Sequence, residues 1–174
     1  MTISSRPPAP DEYAPFYAGY VSAVPDGDVV ETLRRSGAEL MELLTAVPEE
    51  RGGHRYAPGK WTIREVVGHV NDTERVMTYR LMRIARGDAT PLPGFDQNDY
   101  VRLAGADRRT LADLTQELAA VRAGSVALVQ SLPDEAWDRR GMASGHPISA
   151  RALAYITAGH SLHHLALLRQ RYLA

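Results

Sequence analysis

Apolar residues recur at helical spacing in four long stretches of this chain, and polar or Gly/Pro-rich segments separate them. The first stretch carries Val29, Leu33, Leu40, Leu44 and Val47. It predicts a helix over about 29–47, opened by an Asp28/Glu31 capping pair and stopped by Pro48. The second carries Val66, Val70, Met77, Leu81 and Ile84, and predicts a helix over about 62–86 behind a Thr62/Glu65 capping box. In the third, Thr110 and Asp113 give a capping signal, and Leu111, Leu114, Leu118, Val121, Ser125, Leu128 and Leu132 recur at near-heptad spacing. The fourth runs over about 148–172. Between them lie a Gly-rich loop at 51–60, a long polar connection at 88–109, a short helical turn from Pro133 to Trp137, and a loop at 138–147. Connections as long as 88–109 are often functional. No stretch alternates convincingly as a strand, so the pattern predicts an all-α four-helix bundle.

The pattern at the N-terminus is different. Residues 1–11 are rich in Pro and Ser and read as a flexible tail. Residues 12–24 hold four of the ten Tyr and Phe residues, and read as packed on the bundle. Residues 12–174 are expected to form a single domain.

Composition narrows the function classes. The apolar fraction of 44% and charged fraction of 24% are those of an ordinary globular protein. The formal net charge is −1, which argues against a nucleic-acid partner, because phosphate contacts call for a concentrated basic excess. No apolar run approaches a membrane span, and the first residues lack the apolar core of a secretion signal. A cytoplasmic location is the expectation. The absence of cysteine excludes disulfides, thiolate metal sites and a thiol nucleophile borne by the protein.

The chemistry lies with the histidines. His160 and His164 fall about 40° apart on the fourth helix, in the middle of its apolar stripe, while Arg151 and Arg169 fall on the opposite side. Two imidazoles one turn apart on a buried face are costly unless satisfied, and a metal ion satisfies both. His163 lies on the flank of the stripe and could replace either partner; His164 is nearer the centre. On the second helix His69 occupies the inward edge, where it could serve as a third ligand. The plainer alternative is that each is a core histidine bonded to a carbonyl. His54 and His146 lie in loops and read as surface residues.

Four local features resemble the DinB/YfiT-like superfamily, which includes bacillithiol S-transferases and, more distantly, mycothiol-dependent maleylpyruvate isomerases. They are Lys60-Trp61-Thr62-Ile63-Arg64-Glu65-Val66-Val67-Gly68-His69, Asp72-Thr73-Glu74, Gly94-Phe95-Asp96-Gln97-Asn98, and Gly159-His160-Ser161-Leu162-His163-His164. The likeness runs from about Tyr13 to Tyr172. It implies an up-down bundle with a crossover connection, a zinc or nickel ion on His69, His160 and His164, and a homodimer. One departure stands out. Many relatives carry a Glu where this chain has Ser161, so a general base is expected to be missing there.

Three neutral histidines would leave a coordination position open, the mark of a catalytic site. The ion could activate a low-molecular-weight thiol for attack on an electrophile, or a water for hydrolysis. Asp72, Glu65 and Glu74 are the candidate proton-transfer groups, and Asp72 or Glu65 could fix the His69 tautomer. Their alternative is the solvated face of a helix. Asp96, Asn98, Asp99 and Tyr100 could line the mouth of the site, or simply form a turn. The contrasting reading is a non-catalytic bundle that binds a small molecule or partner and uses the metal structurally.

Overall fold

A computed structural model describes residues 2–174. Four long helices form the body: α2 (Val29–Thr45), α3 (Ile63–Ala85), α5 (Leu111–Gln130) and α7 (Ala150–Leu167), the last continuing as a π-helical turn over Leu168–Tyr172. Shorter elements are α1 (Ala18–Ala23), α4 (Gln97–Ala104), α6 (Asp134–Trp137) and a hairpin of β1 (Arg140–Ala143) and β2 (His146–Ser149). No helix among the described residues is long and apolar enough to cross a membrane.

The predicted caps start the long helices. Asp28 accepts from the Val30 amide at 2.8 Å. Thr62 and Glu65 form a reciprocal box, with bonds of 2.7 and 3.0 Å. Thr110 accepts from the Asp113 amide at 3.1 Å. Glu31 plays no part in its cap and pairs with Arg34 instead. Ser149 caps α7 through the Ala152 amide, a signal the sequence reading passed over.

Each long helix packs on two others: α2 on α5 and α7, and α3 on α5 and α7. Two apolar clusters fill the interior. One gathers Leu33, Leu81, Val129, Trp137, Leu153 and Ile156. The other gathers Leu40, Val66, Leu114, Leu118, Leu165 and Leu168. The order in which a helix meets the two clusters gives its direction. On that test α3 and α5 run together, opposite to α2 and α7. Parallel neighbours cannot be joined by a tight turn, so the chain from α3 to α5 must travel the length of the bundle. That requirement accounts for the long connection, which is not the open loop expected over 88–109. It holds α4, capped by Asp96 through the amides of Asn98 and Asp99 at 2.8 and 3.1 Å.

Two further expectations are corrected. The segment 138–147 contributes the hairpin, with Arg140 opposite Ser149 and Ala143 opposite His146, turning at Ser144-Gly145 with positive φ at both. Four-residue strands are too short to show alternation. Arg151 is not solvated but 0% exposed. Its guanidinium pairs with Asp138 and lies 3.8 Å from Glu12, because the N-terminal segment and the loop before β1 cover the outer face of α7.

Every long helix carries polar residues between its two apolar stretches: Ser36 on α2, His69 and Glu74 on α3, Arg122 on α5, and His160, Ser161 and His164 on α7. A polar layer thus crosses the middle of the bundle.

Candidate metal centre

One side of that layer is a cluster of imidazoles. α3 and α7 run antiparallel and place His69 opposite His160 and His164, all three buried. Their Nε2 atoms converge, at 3.0 Å from His69 to His160 and 3.2 Å from His160 to His164. One ligand atom from each lies within 4.8 Å of the others. Three nitrogens each about 2.0–2.1 Å from a tetrahedral ion would stand roughly 3.3 Å apart, so the spacing fits a divalent metal. Proton sharing serves such a cluster less well. One hydrogen can bridge one pair of ring nitrogens, and the third is left facing a lone pair.

The protonation states suit ligands. Burial holds the His69 pKa down at about 4, with the His163 ring adding to the effect. Burial also holds His160 and His164 well below the usual imidazole value, and their histidine neighbours depress them further. The rings are therefore neutral at pH 7 and offer lone pairs. Thr73 Oγ1 lies 3.3 Å from His69 Nδ1, and the Trp61 ring packs 4.8 Å from the His69 ring, which together fix its orientation. The group that touches Nδ1 is thus Thr73, neither Asp72 nor Glu65. The buried Nδ1 of His164 has no hydrogen-bond partner among the described residues.

The other side of the layer is an ion pair. Arg122 donates to both carboxylate oxygens of Glu74 at 2.8 and 2.7 Å. Its remaining donors reach the Leu33 carbonyl at 2.6 Å, Ser36 Oγ at 3.1 Å and Ser161 Oγ at 2.9 Å. Glu74 was expected to be a solvated carboxylate or a proton carrier; it is 3% exposed and held by Arg122. Glu65 is engaged in its capping box and with Arg55. Asp72 faces Arg75, and burial raises its pKa. None of the three lines a cavity beside the triad. Ser161 also faces Arg122 and lines neither cavity.

Two cavities flank the imidazoles, with His69, Tyr20 and Gln97 common to both. The first, of about 300 Å³, is lined by Tyr56, Lys60, Asn98, His163, His164 and Tyr172 among others. The second, of about 350 Å³, is lined by Phe16, Tyr17, Thr73, Met77, Phe95 and His160 among others. The Tyr20 ring stands edge-on to His160 and His163 at 5.4 and 5.5 Å. Its backbone carbonyl is set so close to α7 that a Cβ at Gly159 would lie 1.9 Å from it.

Of the connection residues expected at the mouth, Asn98 lines the first cavity, Asp96 caps α4, and Asp99 pairs with Arg102. Tyr100 packs on Phe95 and lines a separate cavity with Arg75 and Tyr79. His163 is exposed at the first cavity, and its ring nitrogens are not part of the converging group. Sequence reading gave no site role to Tyr20, Tyr56, Lys60 or Gln97, although Lys60 and Gln97 stand in the motifs quoted above. The aromatic density of residues 12–24 was the signal that pointed toward Tyr20.

The family model of the DinB superfamily matches residues 32–168. No curated protein matches in sequence. Among solved structures, YfiT from Bacillus subtilis, described as a probable metal-dependent hydrolase with an unusual four-helix bundle topology, is 20% identical. The match covers 82% of this chain and 85% of YfiT, with a TM-score of 0.73. A mycothiol-dependent maleylpyruvate isomerase is 17% identical with a TM-score of 0.67; the match covers 79% of this chain and 58% of that one. At these identities the likeness speaks for the fold.

Proposed function

The chain belongs to the DinB superfamily, and from that premise we propose that it is a metal-dependent enzyme that joins a low-molecular-weight thiol to an electrophile, with zinc or nickel held by His69, His160 and His164. One observation carries this reading: the triad opens on two cavities, which gives room for two reactants, and among the described residues no acidic side chain lines either one. A hydrolase of this design would need a carboxylate or equivalent group beside the ion to move the water proton. Thiol transfer is less demanding, because a thiol starts near pKa 8.5 and needs only a modest push. The chain has no cysteine of its own, so the sulfur must come from a cosubstrate.

A divalent ion at the triad supplies Lewis acidity, which lowers the pKa of a bound thiol or water. The protein supplies the rest. Burial keeps the three imidazoles neutral. Trp61 and Thr73 hold His69 in place. Tyr20 lines both cavities. In the transfer, the sulfur forms the new S–C bond, the leaving group departs with its bonding pair, and the thiol proton leaves through the cavity that His163 borders.

Hydrolysis is the second reading, and the exposed ring of His163 at the first cavity is the observation that favours it, since it could accept a proton from water. The resemblance to YfiT is in keeping with it.

The test starts from protein purified without a metal-affinity tag. Elemental analysis should find one equivalent of zinc or nickel in the wild type and none in a His160→Ala, His164→Ala variant. The metal-loaded protein should accelerate conjugation of small thiols to a fluorogenic haloalkyl electrophile, and should leave activated esters untouched. Ester cleavage without conjugation would transfer the reading to hydrolysis. Protein that stays empty after incubation with both metals would end the metal-enzyme reading.

A further inference from the structure

The chain has nineteen arginines and a single lysine, Lys60. Many of the arginines are in ion pairs. Lys60 has no ion pair and no side-chain hydrogen bond among the described residues, although its backbone is fixed. It closes the turn Ala57-Pro58-Gly59-Lys60, with its amide 3.2 Å from the Ala57 carbonyl. Gly59 has a φ of +75°, the value that position three of a Pro-Gly type II turn requires. Arg55 donates to the Lys60 carbonyl at 2.6 Å. A rigid turn therefore presents an uncommitted ammonium at the cavity that His69 and His164 border.

The rest of that lining is complementary to an anion. Tyr56, Gln97 and Asn98 add uncharged polar groups, and no Asp or Glu is among the lining residues. The acids nearest in sequence are engaged elsewhere: Asp96 caps α4 and Asp99 pairs with Arg102. The second cavity bordering the triad has a different character. Phe16, Tyr17, Met77 and Phe95 dominate it, and it holds no Lys, Arg, Asp or Glu. The two cavities therefore differ in charge and polarity.

We propose that the two reactants reach the triad through different cavities, and that Lys60 selects the thiol: a polar thiol bearing a carboxylate or other anion lies in the Lys60 cavity, with an uncharged, apolar electrophile against Phe16, Tyr17, Met77 and Phe95. This rests on the metal-and-thiol reading above and names the substrate class within it. Lys60 acts on substrate choice and contributes no ligand to the metal.

Cobalt-loaded protein gives a direct readout of thiol binding, since thiolate coordination produces a charge-transfer absorption independent of turnover. Titration with mercaptosuccinate and with 2-mercaptoethanol compares a charged thiol with a neutral one. Mercaptosuccinate should bind roughly fivefold or more tightly than 2-mercaptoethanol, as expected of a partly exposed charge pair. The preference should shrink as salt is raised. Lys60→Met should abolish the preference at unchanged metal content, and Lys60→Arg should retain it. Equal affinities in the wild type, or a preference that survives Lys60→Met, would overturn the assignment on protein whose metal centre is intact. Protein that takes up no cobalt, zinc or nickel by elemental analysis would remove the underlying reading, and this one with it.

Discussion

Arg122 reaches from α5 to Leu33 and Ser36 on α2, Glu74 on α3 and Ser161 on α7, with every guanidinium nitrogen engaged. A charge buried this deeply is tolerable only while its partners remain. Glu74→Gln or Arg122→Met should therefore lower the free energy of urea unfolding by about 3–5 kcal/mol. The double variant Arg122→Met, Glu74→Met should recover part of that loss. A single variant within about 1 kcal/mol of wild type would show that the pair is not the tie described. The imidazoles lead to a pH effect in metal-free protein. The folded pKa of His69, about 4, lies below its ordinary 6.5, because burial disfavours the charged ring. Between those values the unfolded chain binds more protons than the folded one, so stability falls as pH drops through the window. The contribution is fully present above about pH 6.5 and lost on approach to pH 4. Urea midpoints of chelator-treated protein should decline over that range, and more shallowly in His69→Gln. An equal slope in the variant would refute the assignment.

At the scale of elements, α1 is held against α7 by a backbone contact. The Tyr20 carbonyl lies where a Cβ of residue 159 would stand. Gly159→Ala would force α1 away from α7 and displace Tyr20, which lines both cavities. We expect a loss of about 1–3 kcal/mol, as for overpacked interiors, and faster proteolysis near residues 18–24. Gly124→Ala on α5 is the matching control. A Cβ there meets nothing within 4 Å, so it should stabilise by about 0.4–1 kcal/mol by restricting the unfolded chain. Thermal unfolding of the two variants should move in opposite directions; parallel shifts would mean that the α1 contact is not what matters. The face of α5 that points inward was only half legible. Leu111, Leu114, Leu118 and Ser125 are buried as expected, but the stripe continues through Arg122 and Val129, not Val121 and Leu128. A reading by hydrophobicity cannot choose an arginine as a core position, because what makes it one is the carboxylate on another helix.

In the molecule as a whole, the apolar clusters above and below the polar layer do not depend on the triad. The helices should persist when a metal is removed. A ligand that binds only the folded state adds stability by mass action, about 2.7 kcal/mol at a concentration 100 times its dissociation constant. Chelation should lower the melting temperature by several degrees and leave the helical circular dichroism at 25 °C unchanged. Loss of the helical signal on chelation would instead mark the metal as a structural staple, as in small zinc domains.

Local spacing along the chain determined the four long helices, the caps at Asp28, Thr62 and Thr110, and the fact that His69, His160 and His164 share inward faces. These are properties of a helix about its own axis, and local spacing carries them. Tertiary structure decided what each face meets. Arg151 lies opposite the apolar stripe yet is buried, because the N-terminal segment covers that side. Glu74 looked exposed until Arg122 was placed against it. The cavities beside the triad are assembled from residues near positions 16–20, 56–61 and 94–98, far apart in the chain and joined only by the crossover and by α1 lying on α7. Sequence spacing specifies where a side chain points from its own element; only packing specifies what stands opposite it, and the chemistry of the triad depends on both.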